Sequence, residues 1–116
     1  RATGHPVDVA VDRCADRAGL PARIAVFRVV QEALRNASRH AAGSGLGVTV
    51  RCDAGAVVLL VSDDGPGFDP VGLAPSEHLG LVIMRERVET LGGRLSVESR
   101  HNSGTTVMAT IPLGAP

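Results

Sequence analysis

The chain has 116 residues, 44% of them apolar and 21% charged. That is the length and balance of one globular domain with room for a modest core. All twelve basic residues are arginine, and they offset twelve carboxylates, so the formal net charge is zero. The absence of lysine excludes a Walker-A phosphate loop and Schiff-base chemistry, both of which need that side chain. A neutral chain with two Phe, no Tyr and no Trp lacks the charge for bulk nucleic-acid binding and the rings for base stacking.

His5 to Asp12 alternates Val7, Val9 and Val11 with polar or small residues, which predicts a half-buried strand. Arg13 to Gly19 reads equally as a loop or a short helical turn. A long helix is expected from Pro21, a residue suited to the first turn, to the glycines at 43 and 45. Ile24, Phe27, Val30, Leu34, Ala37 and Ala41 recur at three- and four-residue steps, which assigns them one apolar face. At 100° per residue Glu32, Asn36, Arg39 and His40 share roughly a quarter-turn, beside and opposite that stripe. Leu46 to Cys52 and Val57 to Ser62 read as strands joined by a short turn at Asp53-Ala54-Gly55. The second is almost wholly apolar, which predicts cover on both faces.

An aperiodic stretch runs from Asp69 to Leu79, and a loop of about a dozen residues inside a compact domain has the length of a lid. Leu81, Met84, Val88 and Leu91 mark a second amphipathic helix, ended by Gly92-Gly93. Leu95 to Arg100 and Thr105 to Ile111 form a terminal hairpin. The order is strand, helix, two strands, loop, helix, two strands. It predicts an α+β two-layer sandwich, one domain over residues 1–116, with both helices on one face of a mixed, mostly antiparallel sheet. Cys14 and Cys52 are far apart and form no CxxC pair, so neither a disulfide nor a zinc site is expected, and Cys52 reads as a small core residue. No run of about 18 apolar residues is present. The chain starts at Arg1 without a leader pattern, and it reads as an excised fragment.

Three glycine-bearing segments attract chemistry. Asp63-Asp64-Gly65-Pro66-Gly67 ends the apolar strand, where a carboxylate needs partners, although DG and PG are also ordinary turn dipeptides. His78-Leu79-Gly80-Leu81 opens the second helix, and a helix start presents free N–H groups to phosphates, or is simply a helix entry. Gly104-Thr105-Thr106 closes a hairpin or a site. On the first helix, one Asn36 amide oxygen is enough for Mg²⁺, which keeps several waters and borrows phosphate oxygens.

The run from Gln31 to Ala41 (QEALRNASRHA) resembles the N box of histidine kinases. Asp63 to Phe68 (DDGPGF) resembles their first glycine box, His78 to Gly93 their second, and Ser103 to Val107 the closing Gly-Thr box. Order and spacing match over essentially the whole chain. It is identified as a member of the ATP-binding catalytic domains of sensor histidine kinases. The RERVETLGG wording resembles the subgroup that pairs with NarL-type response regulators, related to the DesK and LiaS sensors. DNA gyrase, mismatch-repair ATPases and anti-sigma-factor kinases share this Bergerat-type fold.

The resemblance implies ATP and Mg²⁺ as cofactors, with Asn36 holding the metal and Arg39 or His40 contacting phosphate. Glu32 matches an acidic position that acts on the attacking water in superfamily ATPases and would assist the histidine acceptor in a kinase. Asp63 would accept the adenine amino group, with Gly65 and Gly67 allowing close approach and Thr105 ordering a water beside it. Gly80 and Leu81 would begin the helix under the phosphates, below a lid spanning Asp69 to Leu79. His78 stands where many relatives carry the first glycine of a GxG pair, which implies altered lid anchoring. The phospho-accepting histidine would lie on the parent's dimerisation domain, and the location would be cytoplasmic, with a membrane-anchored parent implied by the family only. The same boxes also suit an anti-sigma-factor-type serine kinase or a nucleotide-sensing regulatory domain.

Overall fold

The computed structural model describes residues 7–40, 45–63, 75–99 and 104–113. Strand β1 (Val7–Val11) leads through a 3-10 turn (Arg13–Arg17) into helix α1 (Leu20–His40). Strands β2 (Leu46–Asp53) and β3 (Ala56–Asp63) follow, then helix α2 (Pro75–Thr90), β4 (Arg94–Ser99) and β5 (Thr105–Pro112). The five strands form one sheet in the order β1-β2-β3-β5-β4. β1 runs parallel to β2 and every other pairing is antiparallel. This is the expected two-layer α+β sandwich.

The β2–β3 hairpin turns on Ala54 and Gly55, both at positive φ (51° and 79°), the handedness that matches strand twist in a two-residue hairpin. Helix α2 stops in a Schellman closure. The Gly93 N–H bonds to the Val88 carbonyl at 3.0 Å and the Gly92 N–H to the Glu89 carbonyl at 2.9 Å. Gly92 takes the left-handed residue this motif requires, with φ 80°.

One face of the sheet carries Val48, Val50, Leu59, Val61, Val107, Ala109 and Ile111 toward the helices, all buried. Val29, Val57, Leu59, Val88 and Ile111 are the largest fully buried side chains, each contributing about 1.5–3 kcal/mol by leaving water. The second helix packs as its pattern predicts, through Met84 and Val88 with Leu81 and Leu91 at the margin.

Helix α1 packs differently from its pattern. Its buried line is Ala22, Ala25, Val29 and Ala33, whereas Ile24, Phe27 and Leu34 are exposed. The helix rests on the sheet through small residues and displays its large ones. Phe27 is 61% exposed. Periodicity alone could not separate the two faces because both are apolar.

Three further expectations are corrected. Val9 and Val11 are exposed, because β1 is an edge strand beyond the helix layer. β3 is covered by helices on one face only, so on the other Leu60 is partly exposed while Val58 is buried. Cys14 and Cys52 are bonded as a disulfide, with Cα atoms 6.0 Å apart across a separation of 38 residues. Parallel pairing explains this last contact. Val11 sits opposite Val50, and the Asp12 N–H bonds to the Val50 carbonyl at 2.8 Å. The residues that follow both strands therefore run on side by side. Linear distance between the cysteines hid this.

The face assignment of α1 is checked by two truncations. Val29→Ala should cost about 2 kcal/mol in urea unfolding, from lost burial and the residual cavity. Phe27→Ala should stay within ~0.5 kcal/mol, as for a surface change.

Candidate functional site

The two helices are antiparallel over the sheet, for a topological reason. α1 must end near Leu46, since only residues 41–45 separate it from β2. α2 must end near Arg94, where β4 begins at the opposite end of the sheet. The end of α1 and the start of α2 therefore meet at one end of the sandwich, beside the last row of the sheet.

That row is polar. Asp63 is the final residue of β3, and it pairs with Thr105 on β5 and Leu46 on β2. Thr105 in turn pairs with Ser99 on β4. Side chains directly opposite each other in antiparallel strands share a face, so Asp63, Thr105 and Ser99 line up on the helix side, in phase with buried Val61 and Val107 and partly buried Val97. The Ser99 and Thr105 hydroxyl oxygens are 2.7 Å apart, and Ser99 Oγ donates to the Gly104 carbonyl at 3.3 Å. Gly104 is buried with φ 75°.

Between the helices Glu32 faces α2. A Cβ built on Gly80 would lie 2.5 Å from Glu32 Oε2 and 2.9 Å from its Cδ. The glycine is what lets the carboxylate sit against the second helix. Glu32 is only 15% exposed, and its Oε1 lies 3.7 Å from the Arg35 guanidinium. A cleft of about 330 Å³ runs between the helices here, lined by Arg28, Arg35 and Arg87 as well as Glu32, Gly80 and Leu79. Three guanidinium groups around one carboxylate make this cleft electropositive and suited to anionic groups.

Among the sequence-derived candidates, Glu32 and Gly80 are in contact, and Asp63 and Thr105 are paired in register. Asn36, Arg39 and His40 lie on the last turns of α1, one turn and more beyond Glu32. Gly65 and Gly67 lie outside the described residues, as does most of the expected lid. Two placements differ from expectation. α2 begins at Pro75, with proline in the first turn where its missing N–H costs nothing. The segment Pro75–Leu79 is therefore helix, not lid, and Gly80 and Leu81 sit inside α2 and do not start it. Leu81 packs against the core. Ser99 and Arg35 were not singled out from sequence. Ser99 becomes visible only through strand register, and Arg35 only through the i,i+3 spacing that sets it beside Glu32. Among the described residues no group of three or more His, Cys, Asp and Glu gathers to hold a metal. An ion that takes water and phosphate oxygens around one protein amide needs no such group.

The chain belongs to the histidine kinase-, DNA gyrase B- and HSP90-like ATPases, whose sequence profile matches residues 22–115. That family membership implies an ATP-binding domain. Among named relatives, the chain is 39% identical over 90 residues to the signal transduction histidine-protein kinase/phosphatase DegS of Brevibacillus brevis, covering 78% of this chain and 23% of DegS. It is 36% identical over 115 residues to the sensor histidine kinase MctS of Rhizobium johnstonii, covering 97% of this chain and 25% of MctS. The histidine kinase domain of the Erythrobacter litoralis EL346 blue-light activated histidine kinase superposes with a TM-score of 0.71 at 30% identity, covering 97% of this chain and 53% of that one. The chain thus spans about a quarter of the length of the sequence relatives.

Gly80→Ala tests the Glu32 contact. The added methyl meets the free end of a flexible side chain, so stability should change by less than ~1 kcal/mol. The carboxylate should be displaced from α2 while the fold is kept. The Glu32 side-chain carboxyl signal in NMR spectra, read beside thermal melts, separates the two effects.

Proposed function

We propose that this chain is the catalytic domain of a two-component sensor histidine kinase, binding Mg-ATP at the polar end of the sandwich. It would pass the γ-phosphoryl group to a histidine on the parent's dimerisation domain, from which the group moves to a NarL-type response regulator. The observation that carries this reading is the convergence at one end of the fold. The Glu32–Gly80 contact joins α1 to α2 near that end, and the Asp63–Thr105 pair closes the sheet there.

In this reading Asp63 accepts a hydrogen bond from the adenine exocyclic N–H, and the Thr105 hydroxyl orders a water beside it. Asn36 would hold Mg²⁺, which when bound would supply charge neutralisation on the phosphates. Arg39 or His40 contacts phosphate oxygens, and the arginine-lined cleft draws the anion toward the gap between the helices. The acceptor nitrogen attacks the γ-phosphorus, the N–P bond forms, and the P–O bond to ADP breaks. Glu32 accepts the hydrogen bond of the acceptor imidazole's other N–H and so orients it. Positioning and charge neutralisation account for most of the acceleration in such transfers.

The exposed outer face of the helices, with Phe27 and Ile24 on α1 and Leu79, Val82 and Ile83 on α2, is the surface on which the dimerisation domain would dock. Exposed apolar patches of this kind mark contact sites. A cytoplasmic location follows from ATP use. None of the described helices is long and apolar enough to cross a membrane.

Thermal unfolding of the chain with ATP and ADP, with and without Mg²⁺, and with GTP as control, tests the binding half. A ligand at a hundredfold excess over Kd should stabilise the fold by ~2.7 kcal/mol. Asp63→Asn should remove most of the adenine-selective shift, and Asn36→Ala should remove its Mg²⁺ dependence while sparing adenine selectivity. No shift at millimolar nucleotide overturns the reading. Phe27→Glu tests the docking half. It should leave the nucleotide shift intact and lower phosphorylation of the parent's histidine by roughly tenfold or more, as a buried unpaired charge would at an interface.

A further inference from the structure

We propose that Cys14 and Cys52 form a reversible thiol–disulfide modification site that controls how firmly the start of α1 is held to the sheet. The inference rests on the ATP-using reading above for its compartment. A domain working on ATP in the cytoplasm sits among reduced thiols, where a disulfide that forms is usually transient or redox-sensing. Both cysteines of these 116 residues are in the bond.

The geometry suits reversible closure. The two Cα atoms are 6.0 Å apart, within the usual range for a bridge, because β1 and β2 hold their ends in parallel register. The bond therefore opens and closes without moving the sheet. Both residues are partly exposed, which admits a small disulfide or thiol. Cys14 precedes residue 22, where the family match begins, and Cys52 lies within the matched residues.

The consequence falls on one element. The bond ties the 3-10 turn to β2 and closes a loop that contains the whole of α1. Without it the turn keeps weaker anchors. The Arg23 guanidinium donates to the Asp16 carbonyl at 2.7 Å and to the Ala18 carbonyl at 3.0 Å. The Cys14 N–H donates to Asp12 Oδ1 at 2.9 Å. Under the turn lies an apolar cleft of about 200 Å³, lined by Val11, Ala18, Val26, Val50 and Val57 and bordered by Arg23. The reduced chain stays folded on these contacts, with the turn opening more often over the cleft.

The chemistry balances with a small disulfide such as oxidised glutathione as oxidant. One cysteine thiolate attacks it and releases one glutathione thiolate. The second cysteine attacks the mixed disulfide, forms the Cys14–Cys52 bond and releases the other. The protein loses two electrons and two protons, and one glutathione disulfide becomes two thiols.

The test equilibrates the full chain with graded ratios of reduced to oxidised glutathione. Thiols are counted by alkylation and mass spectrometry, amide exchange is read over residues 13–25, and the Mg-ATP melting shift is recorded in parallel. Expected is a single step in which both thiols appear together while the chain remains folded, with exchange over 13–25 rising roughly tenfold on reduction. Cys14→Ser, at the exposed turn, should show the reduced pattern at every ratio. Three results overturn the proposal: a bond that opens only on unfolding, two thiols at every ratio, or equal exchange in both forms. Loss of the Mg-ATP shift in both redox forms strikes instead at the kinase reading, since the thiol count and the exchange are read without nucleotide.

Discussion

The close seating of α1 on the sheet is the constraint from which the rest of this structure follows. Ala22, Ala25, Val29 and Ala33 present a narrow, small-residue line to β3 and β5. Small side chains allow the helix backbone to approach the strands, and close packing supplies dispersion contacts that a looser interface would forfeit. With the helix so placed, Glu32 turns toward α2, and only a glycine at position 80 leaves room for its carboxylate. The large residues Ile24, Phe27 and Leu34 have no place in the core and stand on the outer surface.

Antiparallel placement of the helices then decides where chemistry is available. The end of α1, the start of α2 and the terminal row of β3, β5 and β4 come together at one end. The opposite end carries the chain's covalent tie, between the 3-10 turn and β2. One end thus gathers the polar and charged groups that suit a nucleotide, and the other anchors the helix that carries several of them. Along the outer surface between these ends the apolar side chains are interrupted by Arg28, Arg35 and Arg87, a mixture that suits a protein partner more than water alone.

Much of this was legible in the residues themselves. The hairpin at Ala54-Gly55, the closure at Gly92-Gly93 and the core positions Met84 and Val88 depend on local turn chemistry and helical period, which act over a few residues. The order of the glycine-bearing boxes was likewise readable, because each is a short run of residue types in a fixed sequence order. The face of α1 was not readable, since both its sides are apolar and the choice between them depends on the sheet it meets. The start of α2 was misplaced because Pro75, Ser76 and Glu77 suit a loop as well as a first helical turn.

The sequence by itself determined the element order, the two-layer class and the family, because these rest on local propensity, periodicity and motif spacing. Tertiary structure alone decided which α1 residues face the core, that Ser99 joins Thr105, that Gly80 receives Glu32, and that Cys14 meets Cys52. Each of these depends on which residues pairing and packing set side by side, or on a choice between faces that are locally equivalent. Strand register and helix-on-sheet packing make that choice, and both are properties of the assembled fold.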